Sequence, residues 1–414
     1  MKRLLMIAYH FPPLAGSSGI QRTLRFVQHL PKFGWEPMVL SAHPRAYERT
    51  SDDLMADIPE GAIVRRAFAL DTARHLSIAG RYIGAMARPD RWVSWKIGAV
   101  HEGMRMIRQF KPQAIWSTYP IATAHLIGAE LQKRSGLPWI ADFRDPMVQD
   151  GYPADPLVWQ SYKTIEERTF SSARYATFTT PSAARTYQLR FPSAAKRVVV
   201  LENGYDEETF STVENAGAQK QRIHPGAVTL LHSGIVYPEE RDPTQFFEAL
   251  GQLKAEGKIQ AGSLKIRFRA SVHDDLLNSL ASKYGIAELI DCQPPIPYKE
   301  ALAEMMTVDG LLVMQASNCN EQIPAKIYEY LRANRPILAL TDPLGDTAAT
   351  LRHAGVGDIV RLDSASDIVK ALPAFVDAIR HSKCTLPLPQ IVEQASREGR
   401  AAQLAKLLDS ALSE

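Results

Sequence analysis

The sequence predicts an α/β protein of two Rossmann-like doubly wound domains whose ligand sites face a central cleft. Three observations lead there. Short apolar runs recur along the chain, amphipathic segments of helical length separate most of them, and one polar stretch near the middle interrupts the alternation. Buried strands alternating with helices mean a parallel sheet covered on both faces. At 414 residues the chain exceeds one ordinary core, so two domains are expected.

The first-half strands are read in RLLMIAY, EPMVLSA, AIVRRAF, AIWSTY, PWIADF, YATFTT and RVVVLENG. Between them, Ile20, Leu24 and Val27 share one helical face. In the next such segment Val93, Ile97, Val100, Met104 and Ile107 do the same. The stretch STVENAGAQKQRIHPGA has no apolar period and reads as a linker. The pattern resumes in AVTLLHSG, SLKIRFRAS, ELIDCQPP, DGLLVMQAS, RPILALTD and GDIVRL. The expected division is therefore a first domain over 1–210, a linker over 211–226 and a second domain over 227–388. Residues 389–414 form a terminal helix able to pack back on the first half.

Composition narrows the class. Apolar content of 45% and charged content of 22% are those of a soluble globular protein, and a net charge of +3 is too small to argue for nucleic acid. Cys292, Cys319 and Cys384 stand far apart in no metal-ligand spacing, as reduced thiols of a cytoplasmic protein would. The opening MKRLLMIAYHFPP meets His10 and two prolines too soon for a signal peptide, and no apolar run approaches the roughly 18 residues of a membrane span. Any membrane contact must be peripheral.

The segment NEQIPAKIYEYL begins a helix whose face carries Ile327 and Leu331. Pro324 suits its first turn, while Ile323 before it has no side-chain oxygen to act as a cap. With Ile323 as cap, the first N–H groups need an outside acceptor, and a phosphate is the usual one. Glu321 falls in the loop before the helix and Glu329 about two turns on, where carboxylates can accept sugar and ribose hydroxyls. The plainer reading is that Glu321 or Asn320 caps the helix and Glu329 is a solvated face residue. Lys326 is either a point charge for a phosphate or an exposed helix lysine.

Two further patches follow buried strands. In LAGSSGIQR, Gly16, Ser17 and Gly19 let backbone approach a diphosphate or sugar closely, although many strand-to-helix turns use the same residues. In IADFRDP, Asp142, Arg144 and Asp145 are placed to reach the cleft; Arg144 either contacts sugar or phosphate or pairs with Asp142 or Asp145. Residues 72–111 hold eight Lys or Arg against Asp90 and Glu102, with Tyr82, Trp92 and Trp95 interleaved. Such a surface can rest on anionic headgroups, against the alternative that 93–107 is an ordinary core-facing helix. Zinc motifs, a Gly-Lys-Ser/Thr phosphate loop and a nucleophile elbow are absent from the sequence.

Glu321 and Glu329, the second inside YEYL and followed by RPILAL, resemble the donor-site motif of retaining GT-B glycosyltransferases of family 4. LAGSSGIQR, LENGYDEETF and LLHSGIVYPEERDP are similar to that family's other landmarks in the same order, so the resemblance spans nearly the whole chain. WIADFRDP and PAKIYEYL look most like members that build bacterial surface polysaccharides. The resemblance implies transfer of a sugar from a UDP- or GDP-sugar to an acceptor hydroxyl with retention. The acceptor would be a glycan or a lipid-linked molecule at the cytoplasmic membrane face, and no metal or protein nucleophile would be needed. It gives Glu321 the donor sugar, Glu329 the ribose and Arg241, seven positions after Gly234, the diphosphate. Two departures stand out: Ile235 where a second basic residue usually follows the glycine, and Arg144 where a histidine often bonds the donor sugar. Two rivals remain. One is a nucleotide-sugar epimerase using His10, His125 or His232; the other is an inactive binding or scaffold protein.

Overall fold

Runs of apolar residues buried on both faces become the strands of two parallel sheets. The computed structural model describes every residue except 18, 218–221, 261 and 414. The first sheet comprises β1 (Lys2–Ile7), β2 (Trp35–Ala42), β3 (Ile63–Ala67), β4 (Ala114–Thr118), β5 (Trp139–Arg144), β6 (Tyr175–Phe178) and β7 (Val198–Val200). Their order is β3-β2-β1-β4-β5-β6-β7, with every neighbouring pair parallel. The second comprises β8 (Val228–Ser233), β9 (Leu264–Arg269), β10 (Ile290–Gln293), β11 (Gly310–Gln315), β12 (Ile337–Thr341) and β13 (Ile359–Val360). It runs β10-β9-β8-β11-β12-β13, again all parallel. Each apolar run read from the sequence is a strand.

In both sheets the order reverses beside the first strand, at β1/β4 and at β8/β11. Connections that part there leave a crevice at the strand carboxyl ends, where open α/β sheets bind ligands. The carboxyl end of β1 leads to Gly19, that of β5 to Arg144, that of β8 to Gly234 and that of β11 to the loop before Lys326.

The chain divides into two units, Met1–Asn203 with Arg397–Glu414, and Gly204–Ser396. The expected linker differs from what is found. Residues 211–215 belong to the helix Glu207–Asn215, which buries Phe210 and Val213 inside the second unit. Arg332 fixes this helix through Glu207 at 2.6 and 2.7 Å and Glu214 at 2.9 Å, with its guanidinium 5.1 Å from the Phe210 ring. Only two apolar side chains face inward, too few to show as a period, and positions 218–221 of that stretch lie outside the described residues.

Residues 389–414 also divide. The helix Pro389–Gln394 stays in the second unit, whereas Arg397–Ser413 joins the first. There Ala401, Leu404 and Leu408 pack with Leu4, Trp35 and Trp116, and Asp409 accepts the Trp35 indole N–H at 2.9 Å. No helix among the described residues is long and apolar enough to cross a membrane.

Candidate active site

The loop after β8 and the start of the helix Lys326–Ala333 bring a lysine beside a glycine. Lys326 Nζ lies 2.9 Å from His232 Nε2 and 3.0 Å from the Ser233 carbonyl. His232 is fully buried and its Nδ1 sits 3.0 Å from the Leu312 carbonyl. A carbonyl only accepts, so Nδ1 carries the proton and Nε2 accepts from the lysine. Burial, then the charges of Lys326 and Arg241, hold the imidazole well below its ordinary pKa and keep it neutral. The third Lys326 N–H has no acceptor among the described residues.

Burial and the neighbouring Arg241 also lower the Lys326 pKa well below its ordinary value, and Glu329 partly opposes them. Two cations held this close with too little counter-charge make a receptive place for an anion. Arg241 is itself placed by a bond to the Ile235 carbonyl and lies 5.1 Å from the Tyr237 ring. Gly234 has φ +112°, a conformation closed to most residues, and a Cβ there would stand 3.6 Å from Lys326 Nζ. Tyr330 supports the turn by accepting the Ser233 N–H at 2.8 Å.

The helix start differs from the expectation. Ala325, not Ile323, is the N-cap, and regular helix begins at Lys326 with no side-chain cap. Pro324 starts a tighter turn, its carbonyl accepting the Ile327 N–H at 3.0 Å. Ile323 is buried in the apolar core of the unit, which draws it away from the helix mouth. The N–H groups of Ala325 and Lys326 meet no acceptor among the described residues. Neither Glu321 nor Asn320 caps the helix: Asn320 bonds Asp342 at 2.6 Å, and the Glu321 side chain is exposed. Glu329 is half-buried and accepts the Tyr298 hydroxyl at 2.7 Å. Tyr298 is placed by its own helix, Tyr298–Thr307, which Glu304 ties to Arg269 and Arg267 of β9 at 2.7 to 2.8 Å.

In the first unit the loop after β1 is crowded. A Cβ at Gly19 would fall 2.5 Å from His10 Nδ1 and 2.8 Å from Arg144 Nη1. Gly16 has φ +78°, and with Ser17 it lines a pocket of about 230 Å³ together with Tyr9, His10, Arg49 and Trp92. Asp142 does not reach out as expected. It is fully buried, bound by Arg22 at 2.8 and 2.9 Å, by Thr118 at 2.8 Å and by Thr177 at 2.7 Å. Burial alone would raise this carboxyl; Arg22, the Thr177 hydroxyl and the charge of Arg144 hold it below its ordinary range. Arg144 therefore pairs with neither Asp142 nor Asp145. Asp145 is exposed and accepts the Thr179 hydroxyl at 3.2 Å.

Several residues lie elsewhere. Trp95 is fully buried, and the half-buried Trp92 packs against the core and lines the pocket after β1. The exposed apolar residues of that region are Ile78, Tyr82, Ile83, Met86 and Ile97. His125 is fully buried against Ser117 at 2.8 Å and is no candidate acid or base at a surface site. A cavity of about 640 Å³ in the second unit, between Glu239, Gln315, Asp342 and Arg361, is lined by none of the expected residues. Sequence reasoning missed Tyr298 and gave His232 the wrong part; a histidine directly before Ser-Gly at a strand end was the available signal.

Comparison with known proteins bears on the fold. Residues 18–204 match a family described as "Glycosyl transferase 4-like domain". Residues 18–204 are thus similar to a glycosyl transferase 4-like domain, and the chain as a whole has the GT-B fold. Among solved structures it is similar to a glycosyltransferase from Rickettsia africae (11% identity, TM-score 0.64, covering 100% of this chain and 99% of that one). It is also similar to HepE from Anabaena in complex with UDP-glucose (12%, TM-score 0.55, covering 100% and 98%). A third is a trehalose-phosphate synthase from Burkholderia xenovorans in complex with glucose-6-phosphate (12%, TM-score 0.59, covering 100% of both). At such identities these likenesses speak for the fold. None of the curated proteins matches the chain.

Proposed function

We propose that this glycosyltransferase moves a sugar from a nucleoside diphosphate sugar to an acceptor hydroxyl with retention of configuration. The second unit takes the nucleotide and the first the acceptor. The observation that carries the reading is Lys326: an ammonium pinned by His232 and Ser233, with one N–H left over beside Gly234 and Arg241. Negative charge grows on the diphosphate as the glycosidic bond breaks. Fixed donors at that position stabilise the transition state without reorganising. Glu321, exposed in the adjoining loop, accepts from the donor sugar; Glu329, oriented by Tyr298, accepts from the ribose. Asp145 offers a carboxylate to a sugar hydroxyl at the end of β5. A donor phosphate oxygen receives the acceptor proton, so the chain supplies no nucleophile.

UDP is the favoured nucleotide, since the similar HepE is described with UDP-glucose; GDP is the alternative. A lipid-linked acceptor in surface polysaccharide synthesis fits the exposed Ile78, Tyr82, Ile83, Met86 and Ile97, with Arg74 and Arg81 in the same segment. Apolar residues among cations suit a peripheral site on an anionic membrane. The test is Glu321→Ala in an assay of sugar transfer with the product anomer read by NMR. The variant keeps the wild-type melting temperature and loses transfer; transfer near the wild-type rate, or an inverted product, rejects the reading.

A further inference from the structure

Two arginines near the carboxyl ends of β1 and β5 carry the same charge to different ends. Arg22 is saturated: beyond Asp142 it bonds the carbonyls of Leu201 at 2.9 Å and Glu202 at 3.1 Å. Arg144 makes a single long contact, Nη1 to the Tyr119 carbonyl at 3.5 Å, and its Nε is buried with no acceptor. No ion pair reaches it among the described residues. Its neighbour Asp142 is already consumed, and Asp145 turns to Thr179.

Arg144 is nonetheless held in place. Its φ is +64°, and Thr179 fixes its carbonyl twice, from N–H at 2.7 Å and from the hydroxyl at 2.8 Å. Asp142 and Asp145 act on this half-buried guanidinium through space, but neither bonds it, and a buried Nε–H without an acceptor is costly, so the group can take an anion from outside. Two features add to the same field. The helix Gly19–His29 presents its N-terminus here with no acidic residue in its first turn. Ser17 Oγ accepts the Gly19 N–H at 3.2 Å and lies 3.0 Å from His10 Nδ1; with the hydroxyl donating to Nδ1, Nε2 of that ring is a second donor. Burial, then Arg144, push the His10 pKa down to about 4, so the ring stays neutral near pH 7.

The geometry points to an oxyanion-binding subsite in the first unit, in which Arg144 and His10 take a carboxylate or phosphate borne by a sugar substrate. A planar fork of N–H donors matches both groups. Assigning the anion to a sugar rests on the glycosyltransferase reading above. It comes either from a uronic acid as the transferred sugar or from a phosphorylated acceptor.

Ligand-observed NMR on the full chain distinguishes these, using glucose, glucuronate and glucose 6-phosphate with wild type, Arg144→Gln and Arg144→Lys. UDP is titrated separately by calorimetry. Wild type binds one anionic sugar at least about tenfold more tightly than glucose, Gln removes the preference and Lys keeps part of it. Preference for glucuronate assigns the anion to the transferred sugar, preference for glucose 6-phosphate to the acceptor. Equal binding of neutral and anionic sugars, no binding of either anion, or a preference surviving Arg144→Gln overturns the subsite. Unchanged UDP affinity in the Gln variant shows that its fold is intact. Failure of wild type to bind UDP, with the anionic preference still dependent on Arg144, would instead fell the glycosyltransferase reading and leave the subsite standing.

Discussion

The loops after β1 and β8 occupy equivalent places in two sheets of similar order, yet their glycines serve different ends. A Cβ at Gly234 would meet only ordinary contact, 3.6 Å from Lys326 Nζ, so its φ of +112° is what demands glycine. Gly19 has an ordinary backbone but no room, since His10 and Arg144 fill the place of its Cβ. The cations differ in the same sense. Lys326 is wired to His232 and Ser233 before any ligand arrives, whereas Arg144 is fixed at its backbone and bare at its tip. One mouth is organised for a particular anion position; the other keeps its donors uncommitted. A common topology sets where a ligand binds, and a few side chains set how tightly its place is specified.

The largest effect that tests this contrast is on turnover. Lys326→Ala removes a pre-placed donor and lowers kcat by about 100- to 1,000-fold, near 3 kcal/mol. Steady-state kinetics checks it, and a loss confined to KM would mean that Lys326 binds without stabilising the developing charge.

The glycines come next. Gly19→Ala destabilises by about 1–3 kcal/mol through crowding. Gly234→Ala does so by a similar 1–3 kcal/mol through backbone strain. Denaturant unfolding of double variants separates the causes. His10→Ala should recover part of the Gly19→Ala loss by making room, while Lys326→Ala should recover nothing at Gly234→Ala.

How much of this was legible beforehand follows from the range of the interactions. The strands were readable because continuous apolar runs mark burial on both faces, and RLLMI or GLLVMQ needs no distant partner to be recognised. The helix Glu207–Asn215 was hidden because its stability comes from Arg332, more than a hundred positions on. Lys326 and Glu329 were found by local spacing, but the partner of each, His232 and Tyr298, is supplied by another element. The sequence left Arg144 open between a substrate contact and a pair with Asp142 or Asp145; only the fold shows that Arg22 takes Asp142. Trp92 and Trp95 looked like surface because composition counts residues but does not say which way they face.

The smallest expected effect concerns protons. The Lys326 pKa is lowered in the free protein, and a diphosphate beside it raises that pKa again. Binding of UDP therefore takes up protons, and the uptake, less than about one per site, grows as pH rises toward the range where the free amine loses its charge. Calorimetry in two buffers of different ionisation enthalpy measures it; proton release on binding would contradict the placement of the phosphate at Lys326.

The most direct measurement is a calorimetric comparison of UDP with uridine on the wild type and on Lys326→Ala. The diphosphate held by Lys326 predicts that UDP affinity falls at least about tenfold in the variant while uridine binding stays the same. Equal losses for both ligands, or undiminished UDP affinity, would show that the diphosphate lies elsewhere.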